Sequence, residues 1–435
     1  MNDYTPPLLV LDQGPGQDRL GIFNPQGRLL EVWFDALHRP NFIGTVHNVQ
    51  IEQVFTAQNR ATARFAGGVP LSLHLRKHDR DLIIPGAVVP VTINAAPRHA
   101  KPWQGLVGAR LVARDMILLA GLGENAPQFQ FSSQIPADIR PVLMARLTAE
   151  AGPFMRPSFG LILRRSAPML ADFSKPLKAL ITAFDNGCNQ ANDSLSGHGF
   201  NPGYRGCLHD GGGMTGRAMR MFPHAEISKD PQNIAHFSSI IDDVIDAALL
   251  PHVPLETGGQ LWCQQTHALW SIDVDGGSSS SFDWLIDAAA PQISRQIRLR
   301  GMSGPVLIDV PRLPPALGKR FLDNLRAGLA DDPRQPEYLG RTRVGFIELR
   351  VPHGDWALAD VMQERVAQDA LAGLRLVTGR VGSGVNFKPV RLAVSQAMAN
   401  WMQGEGRAAF ESLDRPVELV VWSDNSTYQT AHIAD

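Results

Sequence analysis

Three aspartates set the chemistry open to this sequence. Asp273 and Asp275 close the apolar segment ALWSIDVD, and Asp309 closes a second one, PVLID. Both segments, 268–274 and 305–310, have the length and apolar character of short buried strands. Side chains two apart on a strand share a face, so Asp273 and Asp275 point the same way. A strand, a helix and a second strand usually lie side by side, which carries Asp309 to the same carboxyl edge. Three carboxylates brought together repel, and they stay ionised only with a cation among them. Oxygen donors without His or Cys select Mg²⁺ or Mn²⁺ over zinc, and such an ion implies phosphate chemistry. The same aspartates also suit turns and caps at strand ends, and an isolated I-D-V carries little information.

Several elements must position these acids. Gly276-Gly277-Ser278-Ser279-Ser280-Ser281 can turn sharply past a phosphate or simply cap the helix that starts near Phe282. Pro314-Pro315 opens a second helix, with Leu317, Phe321, Leu325 and Leu329 inward, and TRVGFIEL supplies a further strand. Upstream, from Asn233 to Leu250, Ile234, Phe237, Ile241, Val244 and Ala248 form one helical stripe that must face a core.

The run ALWSIDVDGG, the helix ending RQIRLRGMSGPVLID, the strand TRVGFIEL and the lead-in DAALLPHVPLETGGQL together resemble the RNase E/G family of endoribonucleases. The resemblance is strongest from 240 to 350. It implies that Asp273 and Asp309 bind a catalytic Mg²⁺, with Mn²⁺ as a substitute. Asp275, where the family usually has asparagine, is implied as a third ligand or an acceptor that orients water. Arg343 is implied to neutralise the scissile phosphate. Single-stranded RNA would be cut to leave a 5′-phosphate and a 3′-hydroxyl; the alternative is a weakened or inactive relative that only binds RNA.

The implied fold is multidomain α/β. An RNase H-like subdomain (1–36, completed within 186–255) holds an inserted S1-type OB barrel (37–105) and a 5′-sensor region (106–185). A DNase I-like catalytic subdomain (256–360) and a small C-terminal α/β domain (361–435) follow. In the barrel, the family's RNA-stacking phenylalanines fall on Thr62 and Ser72, leaving Arg76, Lys77, His78 and Arg80 for backbone contacts. In the sensor, Arg164 falls on the arginine that meets a 5′-monophosphate, and Arg165 replaces a threonine. Strand alternation would point only one of them into a given pocket.

Composition agrees with a folded chain of several domains. The 435 residues are 44% hydrophobic and 19% charged, with three cysteines and a net charge of −1. Three cysteines without C-x-x-C argue against a disulfide framework, and a cytoplasmic location without membrane spans is expected. Charge is uneven: residues 291–350 carry eleven Lys and Arg against six acids, enough to hold a polyanion beside the proposed metal. Residues 186–217 read as a long loop. Their Gly211-x-Gly213-x-x-Gly216 lacks a preceding buried strand and is cut short by Pro223, and Cys188, His198, Cys207 and His209 have irregular spacing for zinc. Residues 350–370 contain no cysteine, so the zinc link that joins subunits in larger relatives is not expected, and a homodimer would have to use the C-terminal domain.

Overall fold

The computed structural model describes residues 6–65, 67–76, 79, 83–98, 101–121, 128–194, 206–256, 258–277, 282–379, 389–422 and 431–433. The chain opens as an antiparallel meander, Leu8–Asp12, Gln17–Phe23 and Leu29–Ala36. Its second turn is Asn24-Pro25-Gln26-Gly27, where the Gly27 N–H donates to the Asn24 carbonyl at 2.9 Å and φ is +76°, a conformation open mainly to glycine. Ile227–Ser228 adds a parallel edge strand, and helix Pro231–Leu249 covers the sheet. Asp230 caps that helix through the Gln232 N–H, with Pro231 at its first position. Phe237, Ile241, Ile245 and Ala248 are buried against Val10, Phe23, Leu29 and Phe34; Ile234 and Val244, predicted on the stripe, sit at its half-buried margins.

Next comes a closed five-stranded barrel. Val46–Phe55 pairs with both Arg60–Phe65 and Val88–Ala95, and Val69–His74 and Trp103–Val107 complete the ring. Alternate residues fill it: Val49, Ile51, Ala61, Ala63, Leu71, Leu73, Val91 and Ile93 are buried. A Cβ on Gly105 would lie 2.5 Å from Val91 Cγ1, so this position has room for hydrogen alone.

A four-stranded sheet follows, packed on helices Arg140–Glu150 and Ser174–Ser194 around Phe173, Leu177, Leu118 and Leu161. The stretch expected as a loop from 186 is more structured than its composition suggests. Helix Ser174–Ser194 runs into it, Cys207–His209 pairs with Val46–His47 at the barrel edge, and helix Gly213–Met221 follows. The glycine triplet is therefore preceded by a short strand after all. Gly211, Gly212 and Gly213 all take positive φ, and a Cβ on Gly211 would press to 3.0 Å on the Gly44 backbone, which explains the glycines without a nucleotide.

The six-stranded sheet that carries the aspartates runs His252–Pro254, Gln260–Gln265, Trp270–Asp275, Gly304–Asp309, Ile347–Val351, Glu337–Arg341. Helices Phe282–Leu299 and Pro315–Ala330 lie on one face and bury Ile293, Ile297, Phe321 and Leu325 against Leu261, Ile272, Ile308 and Leu349. The other face carries polar side chains together with Trp262, Pro305 and Leu307. The C-terminal part keeps the expected helix–strand–helix–strand order, with Val390–Val394 parallel to Val417–Val421 beneath helix Arg365–Gly379. No helix among the described residues is long and apolar enough to cross a membrane.

Candidate active site

Trp270–Asp275 and Gly304–Asp309 are adjacent parallel strands in register, with Asp273 directly opposite Asp309. Helix Phe282–Leu299 makes the crossover between them. Alternation then decides where the acids point. Ile272 and Val274 are buried under the helices, so Asp273 and Asp275 stand on the open face, and Ile308 does the same for Asp309. The pair expected from the sequence is therefore brought together.

Its electrostatics follow from that placement. Partial burial, then the charges of Asp309 and Asp275, hold the Asp273 carboxyl above its ordinary value. Asp275 is shifted the other way, because its Oδ1 accepts from the Gly277 N–H at 2.9 Å and its Oδ2 from Gln260 Nε2 at 3.1 Å. These bonds occupy both of its oxygens. Among the described residues no group of three or more His, Cys, Asp or Glu is arranged to hold a metal ion, so the expected convergence of three carboxylates narrows to a pair with Asp275 beside it. Two adjacent carboxylates, one with raised proton affinity, are a donor set that suits a hard divalent cation. The serine turn 278–281 lies outside the described residues.

At the end of its strand Asp309 borders a cleft of about 650 Å³ that helix Pro315–Ala330 helps to line. Arg312, Lys319 and Arg341 line it, with Leu313, Leu322 and Val344 as apolar wall. Arg312, Lys319 and Arg341 are exposed, and Arg341 Nη1 donates to the Gly345 carbonyl at 3.0 Å. Arg343, predicted at the end of a strand, instead occupies the turn between Glu337–Arg341 and Ile347–Val351. It is exposed there and is not part of the cleft wall; Arg341, two residues earlier, takes that place. Neither the three cleft cations nor Trp262 was singled out from the sequence. Trp262 stands opposite Asp273 on the next strand, in a hairpin whose short turn, 266–269, fixes the register.

Residues 216–350 match the Ribonuclease E/G family. A chloroplastic ribonuclease E/G-like protein of Arabidopsis thaliana is 37% identical over 119 residues, 25% of this chain and 12% of that protein. Ribonuclease E of Nostoc is 31% identical over 117 residues, 25% of this chain and 17% of its own length. Ribonuclease E of Haemophilus influenzae is 24% identical over 216 residues, 45% of this chain and 23% of its own. The alignments thus span a quarter or less of each relative. The matched stretch contains both aspartate strands, the crossover helix and the cleft.

Over residues 216–350 the chain is similar to the ribonuclease E/G family.

The other residues that the resemblance would draw into RNA binding have different surroundings. Arg164 is partly buried, and the desolvation of its guanidinium lowers its pKa to about 10. Its Nη1 donates to the Ala113 and Arg114 carbonyls at 2.7 and 3.1 Å, and its Nη2 to the Pro333 carbonyl at 3.0 Å. Arg165 Nη1 donates to the Pro336 carbonyl at 2.9 Å. The alternation expected of the pair fails because strand Gly160–Leu163 ends before them, and both reach the 333–336 segment. As placed, they brace two parts of the chain. Thr62 and Ser72 are cross-strand partners on the barrel, while Phe42, Phe65 and Trp103 pack on one another at 5.1 to 6.3 Å. Arg76 is exposed, and Lys77, His78 and Arg80 lie outside the described residues. His209 has both ring nitrogens engaged, Nδ1 by the Gly211 N–H and Nε2 near the Ala183 carbonyl, which removes it from the zinc set considered with Cys188 and Cys207; His198 lies outside the described residues.

Proposed function

We propose that this chain is a divalent-metal-dependent endoribonuclease that cuts single-stranded RNA on the open face of its aspartate sheet, leaving a 5′-phosphate and a 3′-hydroxyl. One observation carries the reading: Asp273 and Asp309 sit opposite each other in parallel register, on the face without helices, inside the segment that matches the family. Asp273 and Asp309 would hold Mg²⁺ or Mn²⁺. The bound ion supplies activation of water and neutralisation of charge on the phosphate. The chain's own residues do the rest. Asp275, held by Gly277 and Gln260, adds fixed negative charge that favours a cation on the pair. Arg312, Lys319 and Arg341 bind the backbone phosphates that leave the site through the cleft. Arg343, at its exposed turn, can reach the same strand from the rim.

In this reading the layout also follows the family: an RNase H-like subdomain, an S1-type barrel, a sensor-like region, a DNase I-like catalytic subdomain and a C-terminal domain through which two copies pair. The test is cleavage of a fluorogenic single-stranded RNA with Mg²⁺ or Mn²⁺. Asp309→Asn should abolish metal-dependent cleavage and spare folding and RNA affinity. Full activity in that variant removes the mechanism. RNA binding without cleavage by the unaltered protein would instead establish the non-cutting relative.

A further inference from the structure

We propose that Trp262, backed by His252, is a stacking platform for one nucleobase beside the aspartate pair. The inference rests on the ribonuclease reading and names the contact that positions the RNA there. The sheet register sets His252, Trp262, Asp273 and Asp309 in a single row across four neighbouring strands. Neighbouring strands lie about 4.8 Å apart, so the indole stands one strand from Asp273 and two from Asp309. Leu261 and Cys263 are buried under the helices, so Trp262 projects from the same open face as the acids.

That position costs the protein something. A large aromatic ring gains by burial, yet Trp262 remains 38% exposed. His252 meets it at 5.8 Å between ring centres and 46° between planes, which holds the indole without enclosing it. Among the described residues, the other large aromatic left similarly open is Phe154, and Lys178 lies 3.9 Å above its ring. Trp262 has no such cover among the described residues. Its neighbours on the face are Gln264, Ser271 and the acids, a polar and negative surface that suits a flat neutral ring better than an apolar protein patch. A nucleobase supplies that ring, and stacking tolerates any base because each has a π-face. A phosphate would be repelled by the acids; its place is at the cation, with the base set to one side on the indole.

The test separates this idea from the one beneath it. Affinity for a short single-stranded RNA is measured in the Asp309→Asn background, where the RNA survives, with each base in turn replaced by an abasic site. One position, within a nucleotide or two of the cut, should cost about tenfold in affinity. Adding Trp262→Ala should erase that sensitivity, and Trp262→Phe should keep most of it. In the cleaving protein, Trp262→Ala should raise KM about tenfold with kcat held within about twofold, the pattern of lost uniform binding. An unchanged KM, or an abasic profile that is the same with Trp262 as with alanine, overturns the platform while cleavage stands. A protein that cuts no RNA overturns the ribonuclease reading, and the abasic comparison then decides the platform alone.

Discussion

The open face of the aspartate sheet and the turn after Gly160–Leu163 both concentrate charged groups that the family resemblance would assign to RNA. They are built in opposite ways. On the sheet, Asp273 and Asp309 face each other and raise the Asp273 pKa, and the cleft cations line an open space. At the turn, Arg164 and Arg165 give their guanidinium donors to four main-chain carbonyls, at Ala113, Arg114, Pro333 and Pro336. The barrel resembles the turn, because its aromatic rings face one another. A group with unmet electrostatic demand is available to a ligand; one already satisfied inside the protein holds the fold. By that criterion the proposed handling of RNA is concentrated on the aspartate sheet.

The hardest test of this contrast is on the sheet side. Asp309→Asn should lower metal-dependent cleavage by about 10³-fold or more, since removing one electrostatic contact to a developing charge already costs about 10²–10³. Calorimetric titration with Mn²⁺ should lose its heat in the same variant, a check that does not need RNA. Retained metal binding would mean that the pair is not the site.

On the opposite side, Arg164→Ala should act on stability. It takes the donor from the Ala113 and Pro333 carbonyls, while Arg114 keeps Ser166 and Gln335, and should cost roughly 3 kcal/mol in denaturant unfolding. Lysine should not rescue it, because a single ammonium cannot span that fork. The accompanying expectation is that 5′-monophosphorylated and 5′-hydroxyl RNAs are cut with kcat/KM within about twofold of each other. A strong preference for the 5′-phosphate, lost in a stably folded Arg164→Ala protein, would erase the distinction between the two regions.

A gain of function sharpens the same contrast. Thr62 and Ser72 are partners on the outer barrel surface, so Thr62→Phe with Ser72→Phe places two rings side by side. RNA affinity should rise up to about tenfold at low salt, the scale of one added base stack. Affinity that stays flat would mean that RNA never crosses the barrel.

The sequence made some of this legible and hid the rest for physical reasons. The aspartate pair was readable because two short apolar strands around one helix leave almost no other topology, and parallel register then sets the two acids opposite each other. The bonds of Asp275 were not legible because a shared face does not fix where oxygens bond, and Gly277 and Gln260 are local partners that spacing does not reveal. The bracing bonds of Arg164 were hidden because its partners lie 50 to 169 residues away in sequence. Cys207–His209 was missed because three residues paired at a barrel edge carry no pattern of their own. Trp262, by contrast, was within reach, since a hairpin's short turn fixes which residues stand opposite, and counting back from Asp273 arrives at it.

The smallest effect concerns the aspartate pair and opposes the catalytic one in sign. Because Asp273 has a carboxyl pKa raised above the ordinary 3.8, the native chain holds that proton more tightly than the unfolded chain does. Stability therefore falls as pH climbs past 3.8 and stays lower up to neutrality. Asp309→Asn removes one source of the shift. In EDTA at pH 7 the variant should be the more stable protein by no more than about 1 kcal/mol, small because the site is open to solvent, and the gap should close below about pH 4. Mg²⁺ should reverse the order, since an ion that binds only the folded wild type raises its melting temperature and leaves the variant's unchanged. A variant that melts lower in EDTA, with Mg²⁺ indifferent to both, would mean that these carboxylates are as fully bonded as the arginines at the turn, and the difference between the two regions would vanish.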